Sequence, residues 1–137
     1  MTLTYQQQYV LDGLAARAAI LNLNARYNRL YSAGDMIGWL ATFRHSGATY
    51  TRGGQSFTDL SAAFDGGDGQ RLITVDHDVT VDGIEASQQC VALLLHGNVI
   101  RSTGSYTDRL VYERGGWYFT SRDLVWDAVP RESALPV

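Results

Sequence analysis

Apolar residues in the first third of the chain recur at the spacing of an α-helix. Two such series lie side by side and together form a wide apolar stripe, so we expect a long first helix that packs on a broad surface. The two series are Leu14, Ala18, Leu21 and Ala25, and Ile20, Leu23, Tyr27, Leu30 and Tyr31.

The end of this helix is marked by three residues, Ala33-Gly34-Asp35. Gly34 suits a left-handed C-terminal cap, and Asp35 suits the N-cap of a following helix. We expect a short second helix containing Ile37, Trp39, Leu40 and Phe43, and a third short helix near residues 58–64.

The remainder of the chain alternates between apolar and polar residues and predicts strands. Asp82-Gly83 and Gly115-Gly116 are two-residue hairpin signals, and His96-Gly97-Asn98 is a third candidate turn. Helices followed by an antiparallel meander predict an α+β architecture, with the helices on one face of a curved sheet. The predicted strands span 48–52, 71–82, 85–97, 99–113 and 116–127.

Side-chain alternation places three ionisable residues on apolar strand faces. His77 lies among valines, Asp108 lies among the buried even positions of strand 99–113, and Arg122 is a candidate for the inside. Buried charges are costly unless paired, so these residues either satisfy one another or line a cavity where protons are transferred. A single β-bulge would reverse the facing of every residue beyond it.

Structural roles remain open for all of these residues. Asp108 and Arg122 could form a plain buried ion pair, and His77 could be a satisfied core histidine. The tyrosines are equally compatible with a core, and Cys90 with a small buried hydrophobe.

Composition and charge exclude several functions. The chain has 137 residues, enough for one domain, of which 45% are hydrophobic and 18% charged, as in globular proteins. The net charge is −3 without a strongly basic stretch, which argues against nucleic-acid binding. All basic residues are arginines, so Schiff-base lysine chemistry is impossible. No apolar run can span a membrane, and one cysteine indicates a reducing, cytoplasmic setting without a disulfide.

Motifs for metals and cofactors are also missing. The sequence has no G-x-S-x-G elbow, no H-E-x-x-H and no glycine-rich phosphate loop. Asp76-His77-Asp78 does not form a metal triplet, because adjacent strand residues point to opposite faces. We therefore expect neither a metal nor a cofactor.

Three segments resemble one family in their order and spacing. The first runs from Ala18-Ala19-Ile20 through Ala33-Gly34-Asp35 to Thr42-Phe43. The second is the segment 79–86, and the third joins 104–108 to 115–119 and Arg122. Over about 11–127, the chain resembles the SnoaL-like branch of the NTF2-like superfamily, which includes scytalone dehydratase and hexachlorocyclohexane dehydrochlorinase.

This resemblance implies a cone, in which a long helix and two shorter ones close over a strongly bent, mostly antiparallel sheet and enclose an apolar pocket. It implies a cofactor-independent lyase or isomerase acting on a small hydrophobic, aromatic or polyketide-like substrate. The alternatives are a non-catalytic binder of small hydrophobic ligands and a structural subunit similar to the small subunits of ring-hydroxylating dioxygenases, because fold alone does not fix function.

The family residues transfer only in part. An aspartate late in the first helix and a histidine opening the central strand form a dyad in the dehydratase and dehydrochlorinase, and these positions hold Ser32 and Leu72 here. A pocket-facing Leu72 would turn His77 away under strict alternation, whereas the polarity of the strand points His77 inward. The family's lining positions correspond to Tyr27, Leu93, Leu95, Tyr106 and Arg122.

Four residues are therefore our catalytic candidates. Asp108 or His77 would act as the general base, with the other orienting it, while Arg122 and Tyr27 stabilise negative charge on oxygen. The substrate-binding candidates are Tyr106, Tyr31, Trp39, Leu93 and Leu95.

The aromatic residues of the last strand suggest self-association. Trp117, Phe119 and Trp126 need a cover on an open sheet, so we expect a homodimer or a homotrimer. The last residues, from about 129, are expected to leave the fold as a tail.

Overall fold

The computed structural model describes residues 2–128 and has the expected α+β architecture, a long helix packed on a curved, mixed sheet of six strands. The helices are α1 (Tyr5–Ala33) and α2 (Met36–Leu40), and the predicted third helix is a 3₁₀ helix at Leu60–Ala63. The tail expected from about 129 lies outside the described residues. The strands are β1 (Thr49–Arg52), β2 (Gln55–Phe57), β3 (Gln70–Asp82), β4 (Glu85–His96), β5 (Val99–Glu113) and β6 (Gly116–Trp126).

The strand order in the sheet is β2-β1-β6-β5-β4-β3. Strands β3 to β6 form the predicted antiparallel meander, whereas β1 pairs with β6 in parallel. Strand β2 was not predicted, because three residues are too few to show an alternating pattern.

Both ends of α1 follow local sequence signals. At its start, Thr4 and Gln7 form a capping box in which each side chain accepts a hydrogen bond from the other's backbone N–H. At its end, Gly34 adopts a φ of 73°, and the side chain of Asp35 accepts a hydrogen bond from the N–H of Gly38 at 2.9 Å. The predicted stop and restart are confirmed.

Helix α1 buries only one of its two apolar series. Ile20, Leu23 and Tyr27 are fully buried against the sheet, whereas Leu14 and Leu21 remain exposed. The expectation that both series pack on one broad surface was wrong. The two series lie on different sides of the helix, and the sheet covers only the side that faces it.

A β-bulge in β3 resolves the conflict over which residues face inward. Val75 pairs with Val91 and Asp78 pairs with Gln89, so two residues of β3 oppose one residue of β4. Before the bulge, even-numbered residues such as Leu72 face inward. Beyond the bulge, odd-numbered residues such as His77 and Val79 face inward. Leu72 and His77 therefore both lie on the helix side of the sheet, which strict alternation forbids.

The aromatic residues of β6 do not need a second chain to cover them. Trp117 and Phe119 are buried within the chain itself, and Trp126 is half-buried. Covering these rings was expected to require a homodimer or homotrimer, which is wrong, and the oligomeric state itself stays a prediction.

The bulge depends on Asp76, whose φ is 55°. Left-handed backbone costs a residue with a Cβ about 1 kcal/mol, and aspartate and asparagine tolerate it better than alanine. We expect Asp76→Ala to lower the free energy of unfolding by about 1 kcal/mol in urea titrations, and Asp76→Gly to preserve it. Asp78→Ala is the matched control, and an equal loss in that variant would contradict this role of the bulge.

Candidate functional site

A buried ion pair occupies the middle of the sheet. Asp108 on β5 and Arg122 on β6 are directly paired across the two strands, and both side chains are fully buried. The guanidinium donates from Nε to Oδ1 at 2.8 Å and from Nη2 to Oδ2 at 3.1 Å. Burial alone would lower the pKa of Arg122, but the carboxylate of Asp108 outweighs it and holds that pKa above its ordinary value. Arg122 is therefore a permanent cation inside the protein.

Two buried amides connect this pair to α1. Gln88 on β4 donates from Nε2 to Oδ2 of Asp108 at 2.7 Å and to Oδ1 of Asn24 at 3.0 Å. Asn24 returns a hydrogen bond from Nδ2 to Oε1 of Gln88 at 2.7 Å. Both carboxylate oxygens of Asp108 are therefore engaged, which leaves it poorly suited to accept a proton from a substrate.

Three aromatic rings surround the guanidinium of Arg122. Its central carbon lies 3.6 Å from the ring centroid of Tyr106, 4.2 Å from that of Phe119 and 4.3 Å from that of Tyr27. We call Arg122 and these three rings the aromatic cage. Cation–π contacts of this kind favour a desolvated arginine by up to about 2 kcal/mol.

Hydrogen-bond donors at the cage lack acceptors. The Nη1 of Arg122, the hydroxyl of Tyr27 and the Nε1 of Trp39 are buried and make no hydrogen bond of ordinary length and angle, although the side chains of Trp39 and Tyr106 lie close enough to the Tyr27 hydroxyl to lower its pKa. The rings of Tyr27 and Trp39 lie 5.7 Å apart. Burial raises the pKa of Tyr27, and the charge of Arg122 opposes this only in part, so its hydroxyl stays protonated. We call these three groups the donor cluster.

The chain's one cysteine also lies at the cage. Cys90 is buried on β4, and its sulfur is 3.9 Å from Nη2 of Arg122. Burial raises the pKa of the Cys90 thiol to about 11. The thiol is therefore neutral and unreactive, in agreement with a core role.

His77 lies half-buried beside this site. Its Nε2 is 2.9 Å from Oγ1 of Thr74, which accepts a hydrogen bond from Nδ2 of Asn28 at 2.8 Å. Burial lowers the pKa of His77, and the charge of Arg122 lowers it further. The imidazole is therefore neutral at pH 7 and able to accept a proton.

The two positions of the family dyad do lie against each other. The backbone N–H of Leu72 donates to Oγ of Ser32 at 2.9 Å, and Ser32 Oγ donates to the carbonyl of Asn28 at 2.7 Å. A serine hydroxyl and a leucine cannot exchange a proton with a substrate as a carboxylate and an imidazole can. The two positions are therefore adjacent, but the residues that occupy them lack the chemistry of the dyad.

The other expected binding residues fall into two groups. Tyr31 and Trp39 are buried on the helix side, where the hydroxyl of Tyr31 donates to Oδ1 of Asp65 at 2.9 Å. Leu93 and Leu95 lie on the opposite face of β4 from Cys90, because their cross-strand neighbours are Ile73 and Arg71 rather than the inward-facing residues of β3. Placing these two leucines in the pocket was wrong.

A groove of about 680 Å³ opens next to the cage, between α2, the 3₁₀ helix and the β5–β6 turn. Phe43 lines this groove, and its ring packs 6.0 Å from that of Tyr27 and 5.8 Å from that of Phe119. Phe43 thus forms the wall between the groove and the cage.

Sequence reasoning missed Asn24 and Gln88, although a signal was present for each. Asn24 interrupts the apolar series of α1 between Leu23 and Tyr27, and Gln88 holds an inward position of β4. A polar residue at an otherwise apolar periodic position indicates a buried hydrogen bond.

Within residues 2–128, no three histidine, cysteine or acidic side chains are grouped to hold a metal ion. No helix in that range is long and apolar enough to cross a membrane.

Breaking the central ion pair should destabilise the fold strongly. Arg122→Met leaves Asp108 as an uncompensated buried charge, so we expect a loss of about 3–5 kcal/mol in the free energy of unfolding. The double variant Asp108→Leu/Arg122→Met should recover most of it. Urea titrations followed by circular dichroism measure both. A loss below about 1 kcal/mol in the single variant would contradict a structural role for the pair.

The chain matches the family described as SnoaL-like domain over residues 12–123. No curated protein matches it significantly. Solved structures with the same fold include an NTF2-like protein with a cystatin-like fold from Novosphingobium aromaticivorans, with 20% identity, a TM-score of 0.79, and coverage of 98% of this chain and 97% of that one.

Two further structures from the same organism carry functional names. A putative scytalone dehydratase shares 19% identity, covering 84% of this chain and 86% of its own, with a TM-score of 0.74. The beta subunit of a putative aromatic-ring-hydroxylating dioxygenase also shares 19%, covering 85% and 92%, with a TM-score of 0.67. These structural similarities establish the fold. Because the family model matches residues 12–123, most of the sequence, this chain belongs to the SnoaL-like domain family.

Proposed function

We propose that the protein binds a small, largely apolar and aromatic molecule at the aromatic cage, and that an oxygen atom of this molecule accepts hydrogen bonds from the donor cluster. The observation that supports the proposal is that Arg122 Nη1, Tyr27 Oη and Trp39 Nε1 are buried together and none of them makes a hydrogen bond of ordinary length and angle. Leaving a buried donor unsatisfied costs about 1–3 kcal/mol, so several at one place favour an acceptor supplied from outside the chain.

The surroundings of these donors define the class of ligand. Aromatic rings from Tyr106, Phe119 and Phe43 pack around the ring of Tyr27. Flat apolar molecules pack favourably against such rings. A permanent cation and two neutral donors favour a carbonyl or phenolic oxygen as the polar group.

The groove provides the route of access. Phe43 separates it from Tyr27, so the Phe43 side chain must move before a molecule in the groove can reach the donor cluster. The volume of the groove, about 680 Å³, is within the range of small-molecule sites.

A second candidate function is proton transfer, as in a cofactor-independent lyase or isomerase. His77 favours it, because it is neutral, half-buried and held by Thr74. The donor cluster would then stabilise the enolate oxygen that forms when a proton is removed next to a carbonyl. Asp108 is not the base in this version, since Arg122 and Gln88 occupy its oxygens.

Binding can be tested with a ligand pair that differs only in the acceptor. We expect 1-tetralone to bind more tightly than tetralin, measured by isothermal titration calorimetry, because only the ketone can accept hydrogen bonds. Tyr27→Phe should weaken 1-tetralone about 3- to 10-fold and leave tetralin unchanged. The same variant should change the stability of the free protein little, because the hydroxyl that it removes makes no hydrogen bond of ordinary length and angle.

Tyr112→Phe, at an exposed hydroxyl, is the matched control for that experiment. Equal affinities for the ketone and the hydrocarbon in the wild-type protein would exclude the donor cluster as the binding site.

Proton transfer can be tested without knowing the leaving group. Protein in D₂O should exchange the hydrogens next to the carbonyl of 1-tetralone faster than buffer does, and His77→Gln should slow this about 10²- to 10⁴-fold. Because burial lowers the pKa of His77, exchange should persist at pH 6.5 and fall only when the imidazole is protonated at lower pH. NMR measures the rate. Tight binding of 1-tetralone without exchange would contradict His77 as a base acting next to the bound carbonyl.

A further inference from the structure

The β-bulge in β3 brings two polar side chains to the same side of the sheet. Thr74 and His77 are three residues apart, so in a regular strand they would point to opposite faces. The register shift between Val75 and Asp78 places both on the helix side. As a result, Oγ1 of Thr74 lies 2.9 Å from Nε2 of His77, within hydrogen-bond distance.

Helix α1 holds Thr74 from the other side. The Nδ2 of Asn28 donates to Oγ1 of Thr74 at 2.8 Å. The backbone carbonyl of Asn28 accepts a hydrogen bond from Oγ of Ser32, and Ser32 in turn accepts one from the backbone N–H of Leu72. The segment of α1 that carries Asn28 is therefore fastened to the segment of β3 that carries Thr74.

The donors and acceptors in this series of contacts give it one direction. A side-chain NH₂ group only donates, so Thr74 must accept from Asn28. The hydroxyl hydrogen of Thr74 then needs an acceptor, and within residues 2–128 the other hydrogen-bond partner of Oγ1 is Nε2 of His77. Thr74 is buried, so leaving this hydrogen without an acceptor would be unfavourable. Thr74 therefore donates to Nε2, which carries the lone pair.

We propose that Asn28 and Thr74 are positioning residues that hold neutral His77 in the tautomer with its proton on Nδ1. The hydrogen bond made by one ring nitrogen sets the protonation of the other, and here that bond is made by Nε2. In the part of the chain that the structure describes, Nδ1 makes no hydrogen bond. Its N–H is therefore free to donate to water or to a bound molecule.

This tautomer deepens the proposed function, on which its consequence for the ligand rests. A molecule that contacts Nδ1 of His77 meets a hydrogen-bond donor, as it does at the donor cluster, which adds to the preference for a carbonyl or phenolic oxygen. His77 could act as a base through Nδ1 only in the opposite tautomer, with its proton on Nε2. The protonation of this ring therefore also bears on the choice between binding and proton transfer.

NMR of the free, uniformly ¹⁵N-labelled protein measures the tautomer directly, because protonated and unprotonated ring nitrogens have well-separated ¹⁵N chemical shifts. We record it at pH 8, where His77 is neutral because burial and the charge of Arg122 lower its pKa. The result expected is a protonated Nδ1 and an unprotonated Nε2. His77→Gln identifies the signals among those of the three histidines. A protonated Nε2 in the wild-type protein, or an even mixture of tautomers, would overturn the proposal.

Substitutions at both positioning residues test their roles. Asn28→Asp replaces a donor with a carboxylate that only accepts, so Thr74 should donate to it and the proton of His77 should move from Nδ1 to Nε2. Thr74→Val should abolish the preference for Nδ1, whereas Thr74→Ser, which keeps the hydroxyl, should preserve it. Asn22→Asp is the matched control, because it adds the same charge at an exposed position of α1 and should leave the tautomer unchanged.

The outcomes are independent of those of the ligand experiments. An unchanged tautomer in Asn28→Asp, or a preference for Nδ1 that survives Thr74→Val, would overturn the roles of these residues. Circular dichroism establishes that each variant is folded, and the wild-type spectrum alone can overturn the proposal if one is not. Equal affinities for 1-tetralone and tetralin would contradict the proposed binding site and leave the tautomer of His77 as measured.

Discussion

The ion pair between Asp108 and Arg122 is the constraint on which the interior depends. A guanidinium with no exposed surface has lost its water, and it regains favourable contacts from one carboxylate and three aromatic rings. These partners come from α1, β5 and β6, and Gln88 joins β4 to the same group. The pair therefore fixes how the helix lies on the sheet. Hydrophobic burial alone is less directional and would allow the helix to slide.

This constraint also leaves the inner surface of the sheet poorly suited to proton transfer by a carboxylate. The carboxylate nearest the cage is already committed to Arg122 and Gln88, and the dyad positions hold Ser32 and Leu72. What remains is a set of hydrogen-bond donors among aromatic rings, with one neutral imidazole beside them. Recognition of an oxygen atom is thus better supported by the geometry than acid–base chemistry is.

The sequence predicted the order of the elements other than β2, the four long strands, the end of the first helix and the family, because each has a local or periodic signal. The facing of the residues of β3 was not predictable, since it depends on a bulge at Asp76. Aspartate tolerates positive φ, but nothing in its neighbours requires it there. For the candidate site, periodicity placed Asp108 and Tyr27 inside and left Arg122 as a candidate, and all three are buried. Leu93 and Leu95 were misplaced because they were carried over from the family rather than taken from the alternation of β4.

The environment of Cys90 gives this protein a built-in probe of its own motions. Cys90 is the only cysteine in the sequence. Its thiol is buried against Arg122, and burial keeps it neutral. A thiol reagent can reach it only when α1 separates from the sheet or the strands part. The rate of its modification therefore counts opening events, much as amide hydrogen exchange does for the backbone. A molecule bound at the aromatic cage would slow the modification of Cys90. The labelling rate would therefore report binding even for a compound that is colourless and unreactive.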